Sequence, residues 1–276
     1  MICFPNSKIN IGLHITRRRD DGYHDIETIF VPTTLSEVLE VTPSKTKQDA
    51  FDIRGLVDHC PLEHNLVYKA LLALRKECSV PAVDVTLIKQ IPSQAGLGGG
   101  SADAAYMLQS LVELFDLKIS PTRLTQIAAS LGADCPFFLS KTAALGKGIG
   151  NRLTPICLPP ELHSMHLVVV KPPISISTAQ AYAQIRPDAS KEGELERLIA
   201  LPIMQWTSVI VNDFEKSLFP CHPELQNIKD TLYKKGAIYA SLSGSGSALY
   251  GFFKKLPSDL NSFFNSKYFT WCGKIV

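Results

Sequence analysis

Gly96-Leu97-Gly98-Gly99-Gly100-Ser101 separates two segments of different periodicity. Before it, Val83-Asp84-Val85-Thr86-Leu87-Ile88 is rich in β-branched residues and partly alternating, the pattern of a strand. After it, Ala104, Ala105, Leu108, Leu111, Val112 and Phe115 recur at helical spacing, so a helix is predicted to open at or near Ser101. Glycines between a strand end and a helix start lie where orphan N–H groups and the positive end of the helix dipole attract an anion. Without Cβ atoms the backbone approaches a polyphosphate closely. The other reading of such a run is a flexible turn needing φ > 0; four glycines in five positions ahead of a helix favour the phosphate. No Lys-Ser or Lys-Thr follows, so this is not a Walker loop. The dinucleotide fingerprint fits poorly as well. Ser101 stands at its third glycine, and Asp116 falls at the end of the helical pattern rather than at a strand tip.

A chain of 276 residues is long enough for one large domain or two ordinary ones. Hydrophobic residues make up 45% and charged residues 20%, the balance of a globular protein with real cores. The net charge of +2 is spread thinly, and the densest basic run, Arg17-Arg18-Arg19, is answered at once by Asp20-Asp21. Neither nucleic acid nor a membrane surface is expected as a partner. The seven cysteines are scattered, without a Cys-x-x-Cys pair or a His cluster, and read as reduced thiols in small buried positions. No basic-then-apolar leader is evident, and no stretch approaches the ~18 apolar residues of a membrane span. The expected location is cytoplasmic.

Outward from the loop, residues 2–16 read as a strand in which Ile9, Ile11, Leu13 and Ile15 alternate, placing Lys8, Asn10 and His14 together on the opposite face. Gly22-Tyr23-His24-Asp25 leads into a second strand; Tyr23 and His24 either stack on a ring or cap the hairpin. Asn65 stands at a helix N-cap ahead of Leu66, Val67, Ala70, Leu71 and Leu74. Ser120-Pro121 opens another helix, and Gly132 ends it as a C′ residue. Asp134, among Ala133, Cys135, Pro136 and Phe137, is either the cap of a short helix or an acid kept for chemistry. Residues 142–150 are small and Gly-rich and residues 155–160 are broken by prolines, placing a domain boundary near 150–160. A helix begins at Thr178, with Tyr182 on the same face; another is predicted over 190–201. Ser243-Gly244-Ser245-Gly246, between two predicted strands, reads by itself as a hairpin turn.

Taken in order, these stretches resemble the GHMP small-molecule kinases. Three signatures carry the resemblance: Pro5-Asn6-Ser7-Lys8-Ile9-Asn10, Pro92-Ser93-Gln94-Ala95-Gly96-Leu97-Gly98-Gly99-Gly100-Ser101-Ala102, and Ser243-Gly244-Ser245-Gly246-Ser247. Asp21-Gly22-Tyr23-His24, Gly132-Ala133-Asp134-Cys135-Pro136-Phe137 and Asn212-Asp213-Phe214-Glu215 make it closest to the branch that phosphorylates 4-diphosphocytidyl-2-C-methyl-D-erythritol (CDP-methylerythritol) in the non-mevalonate (MEP) route to isoprenoids. The resemblance implies a two-domain α+β fold, an N-terminal ribosomal-protein-S5-like β/α domain over residues 1–155 and a ferredoxin-like C-terminal domain over residues 156–276, with the active site in the cleft. It implies transfer of the γ-phosphate of ATP to the tertiary 2-hydroxyl of CDP-methylerythritol. Lys8 and Asp134 are then the catalytic cation and base. Residues 92–102 hold the phosphates of ATP and Asn65 meets its adenine end. Asn10, Tyr23, His24, Thr178 and Tyr182 contact the substrate, the aromatic pair at the cytosine. Mg2+ accompanies the phosphates, with Ser101 as a candidate ligand and no dedicated cage. A kinase for another small alcohol and a non-catalytic nucleotide-binding relative are the competing readings; the choice between monomer and homodimer stays open.

Overall fold

The computed structural model describes every residue except 58, 59, 141, 184 and 259–262; of Thr178 and Ala179 it describes the backbone alone. The chain forms two compact units. One comprises residues 1–7, 35–93 and 98–141, the other residues 8–34, 94–97 and 142–276.

The first unit is a four-stranded sheet with helices packed on it. Its strands β1 (Ile2–Cys3), β4 (Val38–Pro43), β5 (Ala50–Gly55) and β6 (Val83–Lys89) lie in the order β1-β4-β6-β5. β4 runs antiparallel to β1 and β6, while β5 is parallel to β6, with Phe51 opposite Val85. Leu39, Val41, Val83, Val85 and Leu87 alternate into one core, as a period of two requires for a sheet covered on one face. Helix α1 (Leu66–Arg75) covers it with Val67, Ala70, Leu71 and Leu74, and its Asn65 cap accepts a hydrogen bond from the Val67 N–H at 2.9 Å. Helix α2 (Gly99–Leu114) adds Ala104, Met107, Leu108 and Leu111. Helix α3 (Pro121–Leu131) is capped by Ser120 and has proline in its first turn. Gly132 closes it with extended backbone (φ 174°) rather than the left-handed turn expected of a C′ glycine.

The second unit holds two sheets. Strands β2 (Asn6–Arg18), β3 (His24–Ser36), β7 (Ala144–Lys147) and β8 (Arg152–Pro155) form one, in that order. β10 (Tyr239–Leu242), β11 (Leu249–Phe253), β9 (His166–Lys171) and β12 (Phe269–Gly273) form the other, antiparallel throughout. Short helices α4 (Glu161–Ser164), α5 (Thr178–Tyr182), α6 (Glu194–Leu198) and α7 (Trp206–Val209) precede the longer α8 (Asp213–Cys221) and α9 (Pro223–Lys234). The helix predicted over 190–201 is interrupted at Gly193, which adopts φ +80°, and only Glu194–Leu198 is α-helical. Leu13 and Ile15 of β2 share a core with Val168, Val170, Phe214, Leu218, Ile228 and Leu232. β2 is therefore buried on both faces from Ser7 to Thr16. Polar groups on this strand need partners inside the protein.

Candidate active site

The glycine run becomes the first turn of α2, two residues earlier than its apolar spacing implies. Gly98 takes the left-handed conformation (φ +74°) ahead of the helix, and Ala102 N–H donates to its carbonyl at 2.9 Å. From Gly96 through Ser101 no backbone N–H donates to an acceptor among the described residues. Helix geometry explains the last three, since the first turn has no intrahelical carbonyl in reach. A run of unpaired amides at the positive end of a 16-residue helix is an anion site.

The carbonyls of the preceding residues, by contrast, are tied down. Lys8 N–H donates to Leu97 O at 2.9 Å, Ser243 Oγ to Gly96 O at 2.9 Å, and Ala248 N–H to Ala95 O at 3.0 Å. A Cβ on Gly96, already at φ +74°, would overlap the Ser243 carbonyl oxygen. The late Ser-Gly segment thus braces the glycine loop as well as turning the chain. Asn212 reinforces the brace by donating to Leu242 O at 2.9 Å and Gly244 O at 2.8 Å.

In the same unit, Lys8 is 3% exposed, with Nζ 5.2 Å from the centre of the Phe30 ring and donating to Asn10 Oδ1 at 2.6 Å. The rest of Asn10 is held by Ser243 Oγ, Tyr250 OH and Thr28 Oγ1. Nearby in sequence, His24 stacks on Tyr182, with ring centroids 4.7 Å apart and planes 17° from parallel. The Phe214 ring meets Tyr182 edge-on at 4.8 Å. Burial, then the charge of Arg18, lowers the pKa of His24, which keeps its imidazole neutral near pH 7, with one nitrogen donating and one accepting. Tyr23 is 62% exposed. The backbone of Thr178 opens α5, but its side chain lies outside the described residues.

Asp134 belongs to the first unit. It precedes a 3-10 turn (Cys135–Leu139), yet its side chain makes no capping hydrogen bond, so the structural role open to it in the sequence is not the one it plays. Burial pushes the neighbouring Cys135 thiol up to about 11, outweighing a hydrogen bond with Ser101 that acts the other way. That cysteine is an inert packing residue. Asn65 and Ser93 line a cavity of about 800 Å³ whose walls include Phe51, Ile53 and Leu66, with Lys89 as its cationic member. An apolar slot with a few polar groups suits a flat heterocycle.

Lys89, Glu37 and Asp103 form a buried charged cluster that no sequence motif marks. Lys89 Nζ sits 2.6 Å from Glu37 Oε1 and 2.5 Å from Asp103 Oδ2, and Glu37 Oε2 accepts from the N–H groups of Gln90 and Ile91. Burial raises the Asp103 carboxyl to about 7; Lys89 opposes that rise and Glu37 adds to it. The available signal was Asp103 itself, a lone acid within an apolar helical stripe. Among the described residues no three His, Cys, Asp or Glu side chains gather as a metal cage. Mg2+ usually keeps several waters and leans on phosphate oxygens plus one or two protein oxygens. The Ser101 hydroxyl, in the first turn of α2, is an oxygen of that kind, so the residues present fit an ion that arrives with a nucleotide.

The fold and the amide-lined loop match a known class. Residues 65–142 match the family described as "GHMP kinases N terminal domain", and residues 191–263 the one described as "GHMP kinases C terminal". The chain is 45% identical over 275 residues to a 4-diphosphocytidyl-2-C-methyl-D-erythritol kinase of Parabacteroides distasonis, with all of both chains covered. It is 47% identical over 255 residues to that of Bacteroides fragilis, covering 92% of each. The crystal structure of a 4-(cytidine 5'-diphospho)-2C-methyl-D-erythritol kinase superposes with a TM-score of 0.81 at 31% identity, over 100% of this chain and 99% of that one. The chain belongs to the 4-diphosphocytidyl-2-C-methyl-D-erythritol kinases of the GHMP superfamily, with their two-domain α+β fold.

Proposed function

We propose that this protein transfers the γ-phosphate of ATP to the 2-hydroxyl of 4-diphosphocytidyl-2-C-methyl-D-erythritol, giving the 2-phosphate and ADP. The observation that carries the reading is the run of unpaired N–H groups from Gly96 to Ser101 at the head of α2, in a chain of this family. In this reading residues 92–102 cradle the phosphates and the cavity beside Asn65 takes the adenine. The Ser101 hydroxyl would be the protein oxygen that holds a Mg2+ accompanying ATP, which would supply positive charge against the phosphates. Asp134 accepts the proton of the 2-hydroxyl, since a tertiary alcohol is a poor nucleophile until that proton has a destination. Lys8 supplies positive charge where the phosphoryl group passes. The Tyr182 and His24 rings, with Tyr23, hold the cytosine by stacking and by hydrogen bonds from the neutral imidazole; Asn10 and Thr178 serve the same substrate. Residues 1–155 are the ATP-binding domain and residues 156–276 the C-terminal domain of this scheme, although residues 8–34 and 94–97 pack in one unit with residues 142–276. Seven free cysteines fit a reducing, cytoplasmic setting, and no helix among the described residues is long and apolar enough to cross a membrane.

The test is ADP release from Mg-ATP with four acceptors: CDP-methylerythritol, methylerythritol phosphate, mevalonate and homoserine. Turnover is expected with the first alone. Asp134→Asn is expected to lower kcat by about 10²–10⁴-fold with ATP binding little changed, and Lys8→Ala to cripple turnover similarly. Turnover with a different acceptor would overturn the substrate, and an unimpaired Asp134→Asn would overturn the base.

A further inference from the structure

Three buried side chains on β2 and β3 form a chain of hydrogen bonds whose direction is set from one end. Thr28, fully buried, donates its hydroxyl proton to the Gly12 carbonyl at 2.6 Å. A hydroxyl has a single proton, and a backbone carbonyl only accepts, so Thr28 Oγ1 is left with acceptor capacity alone. The group facing it at 3.0 Å is therefore the NH₂ end of the Asn10 amide. That leaves Asn10 Oδ1 turned to Lys8 Nζ, 2.6 Å away. The flipped amide would set NH₂ against an ammonium that has only protons to give, with no lone pair anywhere between them. Asn10 and Lys8 are 2% and 3% exposed, so water does not relieve that clash cheaply.

We propose that Thr28 is a positioning residue for the phosphoryl transfer: its hydroxyl fixes the polarity of the Asn10 amide, and the amide oxygen holds Lys8 Nζ at its working position. The inference rests on Lys8 as the catalytic cation. Thr28 touches no reacting atom; it acts through Asn10, whose backbone is held by Ser243 and Tyr250. Deleting the hydroxyl removes the acceptor that sets the orientation of the Asn10 amide, and with it the constraint that Oδ1 rather than NH₂ faces Lys8 Nζ.

Steady-state kinetics with CDP-methylerythritol and Mg-ATP test this in Thr28→Val, Thr28→Ala, Thr28→Ser and Lys8→Ala, beside thermal unfolding of each. Val keeps the shape of threonine. Ala removes the hydroxyl without setting a methyl against the Gly12 carbonyl, which keeps the test open should Val not fold. Both are expected to lose kcat on the order of 10- to 100-fold, with KM for ATP within about threefold of wild type, the signature of a misplaced group rather than a lost binding site. Ser, which retains the hydroxyl, is expected to restore kcat. Wild-type kcat in folded Val or Ala variants, with Lys8→Ala inactive, would overturn the role of Thr28 and leave that of Lys8 standing. A loss in Ser equal to that in Val would reduce Thr28 to packing. Full turnover in Lys8→Ala would remove the Lys8 reading itself.

Discussion

His14 shows what a buried strand does to a single titratable group. It is 1% exposed. Burial lowers its pKa and the Lys191 ammonium adds to the effect; the Asp213 carboxylate, a backbone hydrogen bond at Lys191 and the Glu27 carboxylate act against it without reversing it. As pH falls through the ordinary histidine range near 6.5, the unfolded chain takes up a proton that His14 in the folded protein binds less readily. The contribution of His14 is therefore present above pH 6.5 and lost below it, with a slope bounded by one proton. Urea unfolding at pH 8.0, 6.5 and 5.5 should show wild type losing stability on acidification relative to His14→Phe. Parallel curves for the two proteins would refute this account. In the sequence, His14 shared a face with Lys8 and Asn10, opposite the alternating Ile9, Ile11, Leu13 and Ile15, and nothing local said what covers that face. The residues that cover it lie more than 170 positions downstream, at Lys191, Asp213 and beyond, where no local pattern reaches.

At the scale of elements, the glycine loop separates backbone need from ligand need. Gly96 combines a positive φ with contact against the Ser243 backbone, so Gly96→Ala is expected to destabilise the protein by about 2 kcal/mol or more. Gly100, inside α2 with only Leu66 Cδ1 at 3.5 Å from where a Cβ would stand, should accept alanine with stability changed by less than about 1 kcal/mol. If phosphates lie against this turn, Gly100→Ala raises KM for ATP all the same. Thermal unfolding with ATP titration of both variants distinguishes the cases, and unchanged ATP affinity in Gly100→Ala would deny a close approach there. The strand before this loop, the helix after it, and the Asn65 and Ser120 caps were legible because each signal is local: a period, a cap, a proline. The hairpin β7–β8 was not. Its small residues read as a Gly-rich boundary, whereas Gly146 is small because a Cβ there meets the Phe30 ring from β3. Taken by itself the Ser243 loop read as a turn for the same reason, since its contact with Gly96 spans 147 residues; only the family resemblance marked it as more.

For the molecule as a whole, the division that matters for folding differs from a cut in the sequence. Residues 8–34 build one sheet with residues 144–155, and Leu13 and Ile15 fill the core beneath α8 and α9. A fragment of residues 156–276 lacks those side chains and the bond from Leu13 N–H to Val211 O. Alone it should show no cooperative thermal transition by circular dichroism, and mixing it with residues 1–155 should restore one; a cooperative transition in the isolated fragment would contradict this. The same arrangement has a consequence in time. Ile15 N–H finds its acceptor on Asp213, 198 residues later. At ~5–20 residues per second of synthesis, β2 waits on the order of 10 to 40 s before that partner exists. All residues of the first unit, by contrast, have been made once residue 141 is added. The vulnerable interval of this protein thus falls during translation, when its first long strand has been made and the segment that buries it has not.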